Sequence, residues 1–294
     1  MFKKNKWLLG IALVCLLASN SLASSAKLSD QVQKSVKAKQ HQAVEKSRAT
    51  IIQEAVSAIL QTQKAIKALE KKDKQAALDA LAMVLGKLEL IMAREPGLTL
   101  APVDVHLETY DLYADVSEIK KEIKKAQELL AVGKVQDARL ILSNLASEVD
   151  IVITSIPLAT YPQAIKKVSK LISQDKLKEA KFALYDLLNT LVVTKHPIPL
   201  PILRAEALLK QAKKLAEKKG RSQEESKRLA KLLDQAEQQL KLAQVLGYGN
   251  AKDYKAFYAE LDKIRKKTSH NKFGQGFFDK IEKMLKQFKD KIFK

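Results

Sequence analysis

Apolar residues recur at i, i+3, i+4 and i+7 along most of the chain, the spacing that gathers side chains on one face of an α-helix. The first such run, "ATIIQEAVSAILQTQKAIKALEK" (49–71), predicts a helix. It follows a polar segment at 24–49 whose first part, to about residue 39, reads as frayed. Three stretches then share a pattern: "ALEKKDKQAALDAL" (68–81), "LLAVGKVQDARLIL" (129–142) and "LISQDKLKEAKFAL" (171–184). Each closes one amphipathic helix, turns at Gly or Asp beside Lys, and opens another, so each is a helical hairpin. A fourth hairpin spans 208–240, where Ser222 and Glu225 make an S-x-x-E capping box, and "GYGN" (247–250) follows its end.

The hairpins are separated by proline-bearing crossings: "EPGLTLAPVDVHL" (95–107), "VITSIPLATYPQAI" (152–165) and "LVVTKHPIPLPILRAE" (191–206). From Ala77, Ala138 and Ala180 to the next proline there are 19, 19 and 17 residues. A helix of that length rises about 27 Å, so hairpins packed in one sense put their turns at one end and their crossings at the other. Proline forbids continued helix, and the β-branched residues beside it favour extended backbone. Val103, Val105 and Leu107 alternate as a half-buried strand does, with "DIVIT" (150–154) or "LVVT" (191–194) as its partner. The expected fold is mainly all-α, a helical-hairpin bundle at 50–246 with one short strand pair, then a helical extension at 247–294.

Composition changes the picture at the ends. Lys3, Lys4 and Lys6, the apolar run "WLLGIALVCLLA" (7–18) and the small residues of "SNSLASSA" form a cleavable export signal, with the cut near residue 23. Cys15 is the single cysteine and lies in that leader, preceded by Val14 rather than the small residue a lipidation site favours, so no anchor and no disulfide are expected. The expected compartment is the periplasm. Losing the leader lowers the formal charge from +20 to +17. Outside the cytoplasm such a surface points to anionic lipid or acidic proteins rather than nucleic acid.

Chemistry is sparsely signalled. No nucleophile elbow, H-E-x-x-H or phosphate loop occurs, and the four histidines lack ligand spacing, so neither an enzyme, a metal nor a cofactor is expected. The candidate binding or switch residues lie in the crossings. Asp104 and His106 share a strand face and could respond to acid; Arg94 and Glu95 precede Pro96; Tyr161 opens the helix after the second crossing, offering an aromatic face with a polar tip; His196 immediately precedes "PIPLP", and Arg204 and Glu206 follow it. Near the C-terminus, Phe277, Phe278, Ile281, Met284, Leu285, Phe288 and Ile292 share one helical face flanked by lysines. Such a face suits an anionic membrane surface, a partner or the protein's own bundle.

"GKLELIMAREPGLTLAPVDV" (86–105), "LASEVDIVITSIPLATYPQAI" (145–165), "LVVTKHPIPLPILRAEALL" (191–209) and "LGYGNAKDYKAFY" (246–258) resemble the segments that mark the YfdX family of exported bacterial proteins. The resemblance runs from about residue 50 to the C-terminus. It implies a mainly helical protein outside the cytoplasm, associated with acid, heat and other envelope stress, with a chaperone-like role and variable oligomers; it supplies no catalytic residues. The expected function is chaperone-like binding of stressed protein clients or of its own copies. The alternatives are a small-ligand or pH-sensing module in the crossings, and membrane-surface attachment by the C-terminal helix.

Overall fold

The computed structural model describes residues 30–292, and the predicted leader lies outside them. Among the described residues the order is α1 (Asp30–Arg48), α2 (Gln53–Glu70), α3 (Lys74–Arg94), β1 (Leu100–Tyr110), α4 (Val116–Ala131), α5 (Val135–Leu142) and β2 (Glu148–Pro157). The chain continues through α6 (Tyr161–Ser173), α7 (Leu177–Leu188), β3 (Val192–Pro199), α8 (Leu200–Ala216), α9 (Gln223–Val245), α10 (Ala251–Thr268) and α11 (Asp279–Ile292).

All four predicted hairpins form. Their turns use left-handed backbone at Lys72, Gly133, Asp175 and Gly220, and Asp73, Asp115, Ser222 and Asn250 cap helix starts with their side-chain oxygens. Lys74 and Asp175, 2.6 Å apart, tie the α2–α3 turn to the α6–α7 turn. The proline count overstated two helices, however: α5 has 8 residues and α7 has 12, because the intervening β-branched residues extend the crossings backwards as strand.

Those crossings pair with one another. They form a three-stranded antiparallel sheet in the order β1-β2-β3, so both proposed partners of the 103–107 strand are in it, where one strand pair was expected. Proline placement explains the order: a proline cannot donate to a ladder, so it is tolerated on an edge. Pro102 lies in edge strand β1 and Pro197 and Pro199 in edge strand β3, whereas central β2 meets a proline only at its last residue. A bulge at Val103 resets the register between Pro102 and Asp104.

Two separate cores flank the sheet. One gathers Leu81, Leu88 and Ile91 of α3 with Tyr161, Ile165 and Ile172 of α6, Leu184 of α7 and residues of α2. The other gathers α8 to α11 with Val32 and Val36 of α1. The segment expected to be a polar, partly frayed lead-in is therefore a packed helix whose few valines fall on one stripe. The boundary drawn at 246 also falls inside a core, since Leu240 and Ala243 share it with Tyr254 and Phe257. Val44, Val105 and Ile151 join α1 to the sheet between the two cores.

Candidate functional site

The strand period of two sends Asp104, His106, Glu108 and Tyr110 of β1 to one sheet face. Glu108 pairs with Asp150 across β1–β2, and His106, Val152 and Lys195 stand abreast across the three strands. Lys195 bonds the Glu108 carboxylate, and its Nζ lies 3.9 Å from Oδ2 of Asp150. The Tyr110 hydroxyl donates to Glu108 at 3.0 Å. The Lys195 ammonium and that hydroxyl hold the Glu108 carboxyl below its ordinary range.

Asp150 differs from its neighbours. It is 5% exposed, and its Oδ1 has no hydrogen-bond partner. Burial raises its pKa against the pull of Lys195, with Glu108 adding to the rise. Glu148, two residues back on the same face, is also raised by burial and further by Asp150, while Tyr248 hydrogen-bonds it. Tyr248, from the α9–α10 turn, accepts the Ser147 N–H at 3.0 Å and so joins the second core to the sheet.

A different surface is built by the chain segment that connects β1 to β2. Helices α4 and α5 form a hairpin that belongs to neither core and contributes only Ile119, Ala126 and Ala138 as buried residues. A groove of about 460 Å³ runs along it, floored by Leu112, Ile119, Leu140, Ile141 and Leu145, with Glu118 and Glu122 at its wall. Val132 is 70% and Leu140 65% exposed, and Leu130, Val135 and Leu142 are also open to solvent.

The sequence-derived candidates disperse. His106 Nδ1 lies 3.0 Å from Asp104 Oδ2, as their spacing predicts, but both side chains are about half exposed. Arg94 pairs with Glu54 at 2.7 Å, and Glu95 is exposed at the helix end. His196 projects from β3 on the face opposite Lys195 and is exposed. Tyr161, a candidate binding residue in the sequence, is instead fully buried, with its hydroxyl donating to Thr62 at 3.2 Å. Arg204 bonds Asp111 at 2.6 Å, fastening the end of β1 to α8. Glu206 takes Lys39 of α1 and Lys289 of α11 at 2.6 and 2.7 Å. These ions lock elements together.

The C-terminal face is likewise spent within the molecule. Phe278, Ile281, Leu285 and Phe288 are buried in the second core, and Phe277, Met284 and Ile292 pack against it. The Phe288 ring meets Tyr254 and Phe257 edge to face, with centroids 5.6 and 5.5 Å apart. That packing removes the apolar face on which a membrane reading of α11 depended. No described helix is long and apolar enough to cross a membrane. Among the described residues no group of three or more His, Cys, Asp or Glu could hold a metal ion.

Sequence reasoning missed Glu108, Lys195 and Asp150, although a charged residue inside "VDIVI" was a usable signal. It also missed the hairpin surface, signalled by valines flanking Gly133 where a polar turn is the norm.

Residues 58–196, the hairpins and crossings from α2 to β3, match the model of the YfdX protein family. Over this stretch the chain is similar to the YfdX family. The matched residues contain nearly all of the first core, most of the sheet and the whole α4–α5 hairpin, and they stop short of α8, so the resemblance read for 246–258 lies outside the match. The solved structure of Salmonella Typhi YfdX is similar to the chain at 15% identity over 51% of this chain and 93% of that one, with a TM-score of 0.34. No curated protein matches the chain.

Proposed function

We propose that this chain is an exported, periplasmic, non-enzymatic protein that holds exposed apolar segments of stressed protein partners. The observation that carries the reading is the α4–α5 hairpin, whose Leu130, Val132, Val135, Leu140 and Leu142 face solvent beside an apolar groove. Contiguous exposed apolar surface on a soluble protein marks an interaction site. Here α4 also carries Lys120, Lys121, Lys124 and Lys125, which keep a loaded complex hydrated. Aggregation of a heat-denatured model enzyme, followed by light scattering, tests it. The leaderless protein is expected to suppress scattering near stoichiometric ratio, and a Val132→Ser, Leu140→Ser double variant to lose most of that effect with its melting temperature unchanged. No suppression at stoichiometric excess overturns the reading.

A second reading, an acid-responsive module, is supported by Asp150 and Glu148, two carboxyls whose proton affinity burial raises on one sheet face. It predicts an acid-dependent change in partner binding that Asp150→Asn abolishes.

A further inference from the structure

The far end of the second core carries a site that neither reading uses, outside the YfdX-matched residues. Lys266, Lys267, Lys272, Phe273 and Phe277 line an open basin of about 520 Å³. Lys219 reaches over the Phe273 ring, 5.5 Å from its centroid, and Lys267 over Phe277 at 5.4 Å. The basin is firmly built. Arg221, 3% exposed, donates to the carbonyls of Leu215, Ala216, Thr268 and Lys272, binding the ends of α8 and α10 to the following turn. The Phe277 ring lies against Gly274, where an added Cβ would stand 2.4 Å from it, so only glycine leaves room.

An ordinary account of clustered lysines is that they answer carboxylates or helix C-terminal carbonyls. Neither applies. From 263 to 278 the sequence has no acid. The surrounding carboxylates are engaged elsewhere: Asp262 by Arg265, Glu225 by Lys218, Asp279 and Glu282 by Lys213, Glu260 by Lys263 and Lys280. Arg221 meets the Leu215 and Ala216 carbonyls at the α8 end, that of Thr268 at the α10 end and that of Lys272 in the following turn. Among the described residues Lys266, Lys267 and Lys272 have no carboxylate partner. They ring a Phe273 that is 48% exposed.

We propose that this basin seats the protein on the surface of an anionic lipid bilayer, with the lysines on phosphate headgroups and Phe273 inserted at the headgroup boundary. Charge complementarity selects an anionic occupant. The basin is open, and its lining donors are solvent-exposed ammonium groups, which suits a field of headgroups better than one small anion. An aromatic side chain flanked by lysines is the pairing that interfacial binding uses.

Flotation of the leaderless protein with vesicles of phosphatidylcholine, with and without phosphatidylglycerol, tests this. Binding is expected only with the anionic lipid. Each lysine contributes roughly a factor of five near such a surface, so Lys266→Gln, Lys267→Gln, Lys272→Gln together weaken partition about a hundredfold. A charge-matched control, Lys120→Gln, Lys121→Gln, Lys125→Gln on α4, is expected to bind as the parent does. Phe273→Ser, an exposed change that leaves the core intact, weakens binding with every lysine in place. Equal loss in the basin and control variants, or equal flotation on neutral vesicles, overturns the proposal. Release by millimolar inorganic phosphate at constant ionic strength also overturns it, by assigning the basin to a soluble phosphate.

Discussion

Arg204 Nη2 and Asp111 Oδ2 lie 2.6 Å apart, with side chains only 14% and 21% exposed, and they join the last turn of one crossing to the helix that follows another. Ser147, at the start of β2, reaches the other Asp111 oxygen at 3.4 Å. Removing the cation strands a largely buried carboxylate. Arg204→Ala is expected to cost about 2 kcal/mol in urea unfolding, and Asp111→Asn less, because an amide still meets both partners.

Gly249 has φ +89, and a Cβ there would stand 2.4 Å from the Phe288 ring. Gly249→Ala meets both obstacles at once, left-handed backbone and collision, and is expected to cost at least about 2 kcal/mol. In a Phe288→Leu background the collision disappears and the backbone cost remains. A smaller penalty there, measured by thermal unfolding, separates the two.

Tyr161→Phe removes one buried hydroxyl and its bond to Thr62, which itself donates to the Ala58 carbonyl. A loss of about 1 kcal/mol is expected, with partner binding unchanged, since the residue is core. A binding defect at intact stability would instead restore Tyr161 as a binding residue.

Burial would raise the Glu206 carboxyl, but the ammonium groups of Lys289 and Lys39 overcome it and leave it below the ordinary range. A depressed acid adds stability above its unfolded pKa, and that stability is lost as pH falls through the folded value. Glu206→Gln is therefore expected to destabilise by about 1 kcal/mol near neutrality, with the gap to the parent protein closing on acidification below the usual glutamate range.

Asp150 carries the opposite sign. Its raised carboxyl binds the proton more tightly folded than unfolded, so stability falls as pH rises through the interval between the ordinary aspartate value and the raised one. Glu108, Glu148 and Lys195 face the same group and set that interval. Asp150→Asn is expected to flatten this part of the profile, leaving the variant closest to the parent at acid pH. Urea midpoints across the acid range measure it.

The helical hairpins were legible because 3.6-residue periodicity, turn residues and caps are local signals, as at Ser222 and Glu225. Prolines 102, 157 and 197 marked the crossings for the same reason. What sequence could not give was pairing: that all three crossings join one sheet depends on long-range register. Tyr161 was misjudged, and the Phe288 face was left open between membrane, partner and the protein's own bundle, because an amphipathic pattern says which side is apolar, not what covers it. Asp150 was passed over because its burial is a property of neighbours contributed by two other strands.

Helix α1 shares its core with α8 to α11, so the two ends of the described chain complete one lobe. A protein delivered amino end first presents the Val32 and Val36 stripe before Leu203, Leu233 or Phe257 has emerged to cover it. The middle of the chain can close its own core early, while the outer lobe must wait for the last helices. The order of delivery thus leaves the first helix in need of shelter for longest.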